Sequence, residues 1–519
     1  MSLRTLPSYV GGEWVEGAGG FVTLVNPATE EPLARAAAGG VDRRAALDFA
    51  RATGGPALRA LTFAERGALI KAMGEALQAH RDELLDLSVV SGGNTRGDAK
   101  FDVDGAVFTL AAYAELGRAL GDRRFLRDGE GITLGRTPRF HGQHIAVPRH
   151  GVAVHINAFN FPAWGLAEKA AVALLAGVPV VSKPATSTCL VAHRIVEILA
   201  RAKVLPDGTL QLLVGAAGDL LEHLGPQDMV AFTGSSDTGL KIRQMPQVLR
   251  HSVRVNVEAD SLNAAILGPD AEPGSETCGF FLKDVLRDMT QKAGQKCTAT
   301  RRVLVPAVHA DRVRDELVDR LAGITVGNPA ADGVRMGPLA TAAQLADVRE
   351  GVSLLARDGR LVFGQAEVKA VGAPEGKGFF GSPVLLEVEP GADAPSVHGR
   401  EVFGPVATIV PYSGAADEAI AIVARGQGGL VSSVYSEDAA FTTEVVLGLA
   451  PYHGRVFLGS AKIAEQSPGP GTVLPLLVHG GPGRAGGGEE LGGLRGLAFY
   501  LQRVALEGSR PVIEKIIGL

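Results

Sequence analysis

The spacing of apolar residues changes along the chain and predicts different elements in different regions. Residues 43–90 show helical spacing, which indicates two or three surface helices, and residues 104–119 predict a further helix. Between residues 151 and 239, short runs that are apolar throughout alternate with helical segments. Strands of that kind are buried on both faces, so this region predicts a parallel sheet covered by helices, a Rossmann-like unit.

The remaining regions predict a second α/β unit and a projecting arm. Strand-like and helical segments alternate again from residue 301 onward. Residues 129–147 contain short alternating segments separated by Gly and Pro, which predict a β-hairpin arm leaving the main body. Residues 498–506 predict a final strand, and the Gly- and Pro-rich residues 467–488 predict a loop, ordered or flexible. Because such an arm has few core residues of its own, it is expected to need a partner surface.

Composition narrows the class of protein. The chain has 519 residues, too many for one core, and predicts two or three domains. With 46% hydrophobic residues, 21% charged residues and a net charge of −5, it gives no sign of a nucleic-acid or membrane-surface partner. The longest apolar run, residues 170–181, is interrupted by Gly and Pro and is too short to span a bilayer. The N-terminus lacks the apolar core of a signal peptide, so a cytoplasmic protein is expected.

Cysteine usage points to one candidate for chemistry. The three cysteines form no disulfide framework and no metal-ligand spacing, which fits a reducing compartment and a site without metal. Cys297 alone lies among Gly and Thr, whereas Cys189 and Cys278 lie in apolar or helical surroundings. Small neighbours let a substrate approach the sulfur and let backbone N–H groups face an oxyanion. Most buried cysteines are structural, so this loop alone does not decide the question.

Polar residues at the ends of the predicted strands give a second group of candidates. Gly234, Ser235 and Thr238 follow a strand and open a helix, where N–H groups and the helix dipole could meet a pyrophosphate. An ordinary Gly-Ser turn would explain them as well. Asn160 and Lys183 end other strands of the same sheet, the edge at which ligands of α/β proteins bind. Glu258 also ends a strand, although a lone Glu there is usually a solvated surface charge.

Seven segments occur in an informative order along the chain. They are GGEWVEG…NPATEE at the start, NAFNFP from Asn157, KPAT from Lys183, FTGSSDTG from Phe232, VNVEAD around Glu258, GQKCT around Cys297 and EVFGPV from Glu401. Over essentially the whole chain they resemble the aldehyde dehydrogenase superfamily.

The resemblance implies an α/β fold with three domains. A Rossmann-like coenzyme-binding domain would cover residues 1–128 and 148–262, and an α/β catalytic domain would cover residues 263–497. A small β oligomerisation arm would combine residues 129–147 and 498–519. The assembly would be a homodimer or a dimer of dimers.

The resemblance also implies roles for individual residues. Cys297 resembles the catalytic nucleophile, Glu258 the general base, and Asn160 the side-chain donor of the oxyanion hole. Thiolate addition to an aldehyde creates an oxyanion that needs donors, and hydrolysis of the resulting thioester needs a base. On the coenzyme side, Lys183 and Ser235 resemble coenzyme contacts, Glu401 the residue at the nicotinamide ribose, and Phe403 the one near the nicotinamide. Gly234 and Thr238, from the turn described above, and Thr186 complete the expected coenzyme contacts.

Two departures from the common pattern affect specificity. Where many members read E-L-G-G-K-S, this chain reads Glu258-Ala259-Asp260-Ser261-Leu262, so the backbone after the base must take another path. Thr186 stands where NAD-preferring members often carry a glutamate for the adenosine ribose, and NADP is therefore the expected coenzyme. The Gly-rich stretch from His479, with NVEADSLN, resembles dehydrogenases that oxidise CoA-linked semialdehydes after aromatic-ring opening.

Other functions remain open at this point. A CoA-acylating dehydrogenase would pass the thioester to CoA, but such enzymes generally lack the base that Glu258 resembles. A non-catalytic relative would be expected to have lost Cys297, Glu258 or Asn160. A cysteine hydrolase needs a His beside its thiol, and no His lies within this Cys loop, although a distant one is compatible with the sequence. A dehydrogenase of broad specificity is the further alternative.

Overall fold

Two seven-stranded sheets dominate the computed structural model, which describes residues 3–364 and 368–518. In spatial order the first sheet contains Arg254–Glu258, Met229–Thr233, Ala153–Ile156, Val180–Lys183, Leu210–Leu212, Ser8–Val10 and Glu13–Val15. The first five strands are parallel, and each of the last two runs antiparallel to the strand before it. Every strand of this sheet lies within the predicted coenzyme-binding segments, whose residues 1 and 2 lie outside the described part.

The order of the parallel strands creates a crevice. The chain runs outward from Ala153–Ile156 through Val180–Lys183 to Leu210–Leu212, and then returns to the other side of Ala153–Ile156 with Met229–Thr233. This reversal is the topological switch point of a Rossmann-type sheet, and loops leaving the two adjacent strands diverge there. A ligand site is therefore expected beyond Ile156 and Thr233.

Helices cover both faces of this sheet. The α-helices of this part of the chain are Arg43–Phe49, Gly55–Ala60, Phe63–Ala79, Arg81–Gly92, Arg96–Leu120, Trp164–Ala176, Cys189–Ala202, Ser236–Arg243 and Pro246–Arg250, with a π-helical turn at Ala50–Gly54. The helix predicted at 104–119 begins earlier, at Arg96, because Thr95 and Asp98 form a capping box. Trp164–Ala176 is buried along its whole length.

The second sheet belongs to the predicted catalytic segment, residues 263–497. Its strands in spatial order are Arg360–Phe363, Val384–Glu387, Val406–Tyr412, Arg302–Pro306, Ala264–Leu267, Gly429–Tyr435 and His453–Gly459. Only the first of these described strands runs antiparallel to its neighbour. The helices around it are Glu276–Thr290, Ala310–Ala322, Ala342–Leu355, Pro395–Gly399, Ala416–Ala424 and Ala439–Leu449. A smaller sheet pairs Thr5–Leu6, Pro32–Ala36 and Val22–Val25.

The arm is a three-stranded antiparallel sheet. Leu126–Thr133 and Phe140–Pro148 form the expected hairpin, and Leu501–Ser509 pairs with its second strand from Leu501–Pro148 to Ser509–Phe140. The final strand was predicted at residues 498–506, and its start is wrong. Residues 498–500 belong to the short helix Leu497–Tyr500, because Leu497 and Tyr500 are buried in the core of the coenzyme-binding part. The helix Arg510–Ile517 follows the strand, and residue 519 lies outside the described part.

The Gly-rich stretch predicted as a loop contains a hairpin. Val478–Gly481 pairs antiparallel with Gly488–Leu491, and the pair lies against the strand Arg254–Glu258. Within residues 3–364 and 368–518, no helix is long and apolar enough to cross a membrane.

Candidate active site

A cavity of about 730 Å³ lies beyond the switch point of the first sheet, between the two large sheets. The residues predicted for catalysis and coenzyme contact come together around it: Asn160, Lys183, Gly234, Ser235, Thr238, Glu258, Cys297, Glu401 and Phe403. Thr186 does not belong to the described lining. It opens the short helix Thr186–Thr188, and its neighbour Ala185 lines the cavity.

The loop that carries Cys297 is held in place by its backbone. Gly294 has φ +67°, and a Cβ there would lie 2.1 Å from the carbonyl oxygen of Gly404. Only glycine therefore allows this close approach. Asn263 Nδ2 donates to the carbonyl oxygens of Cys297 at 2.8 Å and Ala299 at 2.9 Å. Cys297 is half-buried and faces the cavity, whereas the other two cysteines are buried.

Asn160 is tied to the same loop. It lies on the connection between the strand Ala153–Ile156 and the helix Trp164–Ala176, and its Nδ2 donates to the carbonyl oxygen of Gln295 at 3.0 Å. An amide NH₂ carries two hydrogens, so one remains for a second acceptor. The buried Asn160 and Cys297 thus share one wall of the cavity.

Glu258 is buried, and the common expectation of a solvated Glu at a strand end is wrong here. It is 1% exposed at the end of the strand Arg254–Glu258, beside Thr233 of the neighbouring strand. The Gly-rich hairpin covers it. A Cβ at Gly486 or Gly488 would lie 2.3 or 2.5 Å from the carbonyl oxygen of Val257, so glycine permits this covering.

The hairpin brings His479 to the two predicted catalytic residues. His479 is 1% exposed, and its Nε2 lies 3.0 Å from Glu258 Oε1 and 3.8 Å from Cys297 Sγ. Its ring also packs edge-on against Trp164, with the centroids 5.8 Å apart. The distant histidine that the sequence left open therefore exists, 182 residues away from Cys297 along the chain.

The environment shifts the pKa values of both predicted catalytic groups. Burial raises the pKa of the Cys297 thiol well above its usual value, and the negative charge of Glu258 raises it further. Burial also raises the pKa of Glu258, but the opposing effects of His479, Lys169 and Cys297 lower it overall to about 2. At neutral pH the pair therefore consists of a carboxylate and a protonated thiol.

A second buried cluster adjoins Glu258. Lys169 Nζ lies 2.7 Å from Glu168 Oε1 and 3.0 Å from Glu490 Oε2. Burial raises the pKa of Glu168 and of Glu490, while these carboxylates raise that of Lys169. Carboxylate oxygens of Glu168, Glu258 and Glu490 all lie within 4.8 Å of one another. Lys169 thus compensates part of a concentrated negative charge.

The opposite end of the cavity has groups suited to a nucleotide. Ser235 caps the helix Ser236–Arg243 by accepting from the backbone N–H of Thr238, so the first turn of that helix faces the cavity. Asp260, part of the departure after Glu258, accepts from the backbone and side chain of Ser236 at 3.2 and 2.7 Å. This contact ties the segment after the base to the same helix.

Glu401 and Phe403 lie between the two ends. The ring of Phe403 meets Phe159 at 5.8 Å. Glu401 Oε2 accepts from the backbone N–H of Ser261 at 3.2 Å. Its Oε1 is buried, lies 3.6 Å from Arg301 Nε and accepts no hydrogen bond from the described residues. Burial raises the pKa of Glu401 to about 7, although Arg301 opposes the shift.

Sequence reasoning missed His479 and the Lys169 cluster as functional residues. Glu168 and Lys169 stand side by side within an otherwise apolar predicted helix, which is a recognisable signal of buried charge. His479 follows the apolar residues Leu476–Val478 and precedes two glycines, a pattern compatible with a strand end. Neither signal indicates which other residues these side chains meet. The expectation that no metal is bound stays a prediction.

Comparisons with known proteins define the class. The profile of the aldehyde dehydrogenase family matches residues 14–504, and the chain belongs to this family. Lactaldehyde dehydrogenase from Escherichia coli has the same fold, with a TM-score of 0.84 at 26% identity over 98% of this chain and 99% of that one. The predicted aldehyde dehydrogenase α/β fold is therefore confirmed.

Two curated relatives bear on the particular reaction. The chain is 50% identical to 3,4-dehydroadipyl-CoA semialdehyde dehydrogenase from Aromatoleum evansii over 478 residues, which cover 92% of this chain and 93% of that protein. It is 28% identical to succinate-semialdehyde dehydrogenase [NADP(+)] GabD from Escherichia coli over 500 residues, which cover 95% of each.

Proposed function

We propose that this aldehyde dehydrogenase oxidises a CoA-linked semialdehyde, 3,4-dehydroadipyl-CoA semialdehyde, to the carboxylic acid with NADP, as a step of benzoate degradation. The observation that carries the proposal is the pairing of Cys297 with the buried Glu258 at the switch-point cavity. The relative from Aromatoleum evansii, with 50% identity over nearly the whole chain, supports the substrate.

The first half of the reaction would form a covalent intermediate. The Cys297 thiol would lose its proton to solvent in the cavity, and Sγ would add to the aldehyde carbon to give a thiohemiacetal. Asn160 and the Cys297 backbone N–H would donate to the oxyanion. A bound nicotinamide coenzyme would supply the hydride acceptor for this carbon, and Cys297 would then hold the thioester.

The second half would hydrolyse the thioester. Glu258 would take a proton from a water molecule, which then attacks the carbonyl carbon and displaces Cys297. A carboxylate whose pKa is about 2 is ionised at neutral pH and available for this task. The buried Glu258 is the feature that favours hydrolysis over acyl transfer to CoA.

The far end of the cavity fits a dinucleotide. The first turn of the helix Ser236–Arg243 presents N–H groups and the positive end of its dipole, which suit a pyrophosphate. Gly234, Ser235 and Thr238 would surround that group, with Lys183 nearby. Glu401 Oε1, buried without a hydrogen-bond donor among the described residues, would accept from the ribose hydroxyls, and Phe403 would pack near the nicotinamide.

The choice of NADP is proposed from Thr186. A glutamate there would accept from both adenosine ribose hydroxyls and repel a 2′-phosphate by about 4 kcal/mol at 4 Å and an effective dielectric near 20. Thr186 removes that charge and offers a hydroxyl, while Lys183 supplies a cation. The relative GabD, named for NADP, is compatible with this choice.

The test of the proposed function compares coenzymes and aldehydes in one assay. With the CoA-linked semialdehyde, wild-type protein should have a higher kcat/KM with NADP than with NAD. With NADP, its kcat/KM should be higher for this semialdehyde than for simple aldehydes such as propanal. Thr186→Glu should shift the NADP-to-NAD ratio toward NAD, and Thr186→Ser is the matched control that should not. A wild-type preference for NAD, or an unchanged ratio in Thr186→Glu, would contradict the coenzyme proposal. Product that appears only with added CoA would favour the acylating alternative.

A further inference from the structure

His479 has no part in the mechanism described so far, yet it contacts both reacting side chains. Its ring is buried, and the Nε2 atom lies 3.0 Å from Glu258 Oε1 and 3.8 Å from Cys297 Sγ. The other ring nitrogen, Nδ1, is buried and makes no hydrogen bond with the described residues. The polar contacts of this ring are therefore concentrated on Nε2, on the side that faces the site.

The Gly-rich hairpin holds the His479 ring in place. His479 stands on the strand Val478–Gly481, directly opposite Glu490 on the strand Gly488–Leu491. Glycines allow that hairpin to touch neighbouring backbone, because a Cβ at Gly480 would lie 2.1 Å from the carbonyl oxygen of Gly488, and one at Gly481 equally close to that of Gly429. Ala259 N–H then donates to the carbonyl oxygen of Ala485 at 3.0 Å, which fixes the hairpin against the segment after Glu258.

We propose that His479 is a positioning residue for Glu258: its Nε2, 3.0 Å from Oε1, keeps the buried carboxylate ionised beside Cys297 and the hydrolytic water. The inference rests on the proposed function, in which Glu258 is the general base. It assigns a specific purpose to the Gly-rich hairpin, which is to carry a histidine to the base.

The geometry determines which ring nitrogen carries the proton. Glu258 Oε1 accepts no hydrogen bond from the described residues, so its contact with Nε2 at 3.0 Å is one between charges. A bare Nε2 lone pair at that distance would be repelled by the carboxylate, which places the proton on Nε2. A protonated Nε2 cannot accept the thiol proton, and this excludes His479 as the base for Cys297 in the resting state. Once the thiol has lost its proton, the thiolate sulfur lies 3.8 Å from the same Nε2.

The effect of removing the ring follows from the groups that surround it. The charged or titratable side chains near His479 come from every element packed around the site: Glu258, Cys297, Glu168, Lys169 and Glu490. Without His479, burial and the neighbouring carboxylates would raise the pKa of Glu258, and only Lys169 and Cys297 among these groups would oppose them. Because a depressed pKa keeps Glu258 ionised above about 2, losing the depression should protonate it as the pH falls toward neutrality.

The experiment measures kcat against pH for His479→Leu, which has no donor, and His479→Gln, which keeps an N–H without a charge. In both variants the acidic limb of the profile should move to higher pH, further for Leu than for Gln. At neutral pH, kcat for His479→Leu should fall about 10- to 100-fold with a smaller change in KM. The burst of reduced coenzyme that precedes hydrolysis should persist. His453→Gln, at another buried histidine that contacts Ser432, is the matched control and should keep the wild-type profile.

A second comparison shows whether His479 acts through the base. In a Glu258→Gln background, His479→Leu should cause no further loss of hydrolysis. A full additional loss there, or a wild-type pH profile in both His479 variants, would overturn the proposal. Reduced activity with an unmoved acidic limb would show a structural role only and would overturn it too. If His479→Leu does not fold, His479→Gln decides by the same criterion.

Different experimental results would refute the proposed function and the role of His479. Absence of coenzyme reduction by the wild-type protein, or activity in Cys297→Ala, would refute the function. Normal behaviour of the wild type and of Glu258→Gln, combined with unaffected His479 variants, would refute the role of His479 alone.

Discussion

Glu258 shows how the fold changes the chemistry of a single residue. On a surface, a glutamate is a solvated charge with an ordinary pKa. At the end of the strand Arg254–Glu258 it is covered by a hairpin and paired with His479, and its pKa falls to about 2. Burial and this same carboxylate raise the pKa of Cys297. The thiol is therefore protonated at neutral pH, while Glu258 stays ionised beside it.

Glu401 leads to a prediction about pH. Burial raises its pKa to about 7, so the carboxylate loses its charge as the pH falls through that value. In the proposed role, only the carboxylate would accept from two ribose hydroxyls, so the affinity for NADP should rise up to about tenfold from about pH 6 to about pH 8. Isothermal calorimetry of NADP binding at both pH values checks this. Glu401→Gln, which cannot titrate, should show a flatter dependence, and an equally steep one would contradict the assignment.

Residue identities could be predicted from the sequence, whereas their environments could not. Cys297, Glu258 and Asn160 lie in short motifs that resemble the family, and the structure brings all three to one cavity. The contact between Cys297 and His479 joins residues 182 positions apart, and no local pattern encodes it. It arises from the packing of two sheets and a hairpin, which is a property of the folded chain.

At the scale of elements, the Gly-rich hairpin packs on the strand Arg254–Glu258 and carries His479 to Glu258 and Cys297. Its composition reads as a loop because Gly and Pro dominate turns. In the structure, the glycines allow two backbone segments to come close together. Gly486 and Gly488 lie against Val257, the residue before Glu258. The same composition is compatible with both outcomes, so sequence alone could not distinguish a loop from a packed hairpin.

Gly488→Ala should test the hairpin. The new Cβ would lie 2.5 Å from the Val257 carbonyl oxygen and 2.7 Å from Asn256 Oδ1, so the strand must shift away from Glu258. We expect a loss of about 1–3 kcal/mol in stability and a lower kcat, because His479 would move with the strand. Thermal unfolding and steady-state kinetics measure both effects.

Gly279→Ala is the control for this substitution. Gly279 lies in the helix Glu276–Thr290, and a Cβ there would meet nothing within 4 Å, so its stability should be unchanged or slightly higher. Wild-type stability and kcat in Gly488→Ala would show that the close approach is unimportant.

The helix–strand boundary near the C-terminus is a second feature that could not be predicted from the sequence. Residues 498–500 continue an apolar stretch and were predicted as strand, but Tyr500 is 4% exposed and its hydroxyl lies 3.1 Å from His155 Nε2. Burial of Tyr500 in the core selects a helical turn before the strand Leu501–Ser509 begins. Tertiary packing decided this boundary, and local periodicity could not reveal it.

At the scale of the whole molecule, the arm raises the question of assembly. We propose a homodimer or a dimer of dimers in which the arm contacts a partner. Exposed apolar side chains are concentrated on it and on the terminal helix, namely Ile132, Leu134, Phe140, Val504, Val512 and Ile516. Leu501–Ser509 is also the edge of its sheet, with one side unpaired among the described strands. Apolar side chains beside an open edge are typical of a surface that another chain covers.

Val504→Glu should dissociate the assembly. Removing the whole strand is a poorer test, since Tyr500 and Leu501 are part of the core. A charge at Val504, which is 41% exposed, should weaken association by burying an unpaired carboxylate while leaving the subunit folded. Val308→Glu, at an 85% exposed position away from the arm, is the control. Sedimentation velocity should show smaller species for Val504→Glu only, and an unchanged oligomer would contradict this role of the arm.

The central claim is that Cys297 forms the covalent intermediate and that Glu258 acts chiefly in its hydrolysis. Rapid mixing of protein, NADP and aldehyde, followed by the absorbance of reduced coenzyme, tests it most directly. Cys297→Ala should bind NADP and reduce none of it. Glu258→Gln should produce a burst of about one equivalent per site followed by slow turnover, because acylation is retained and hydrolysis is impaired. More than trace activity in Cys297→Ala, or undiminished steady turnover in Glu258→Gln, would contradict the account.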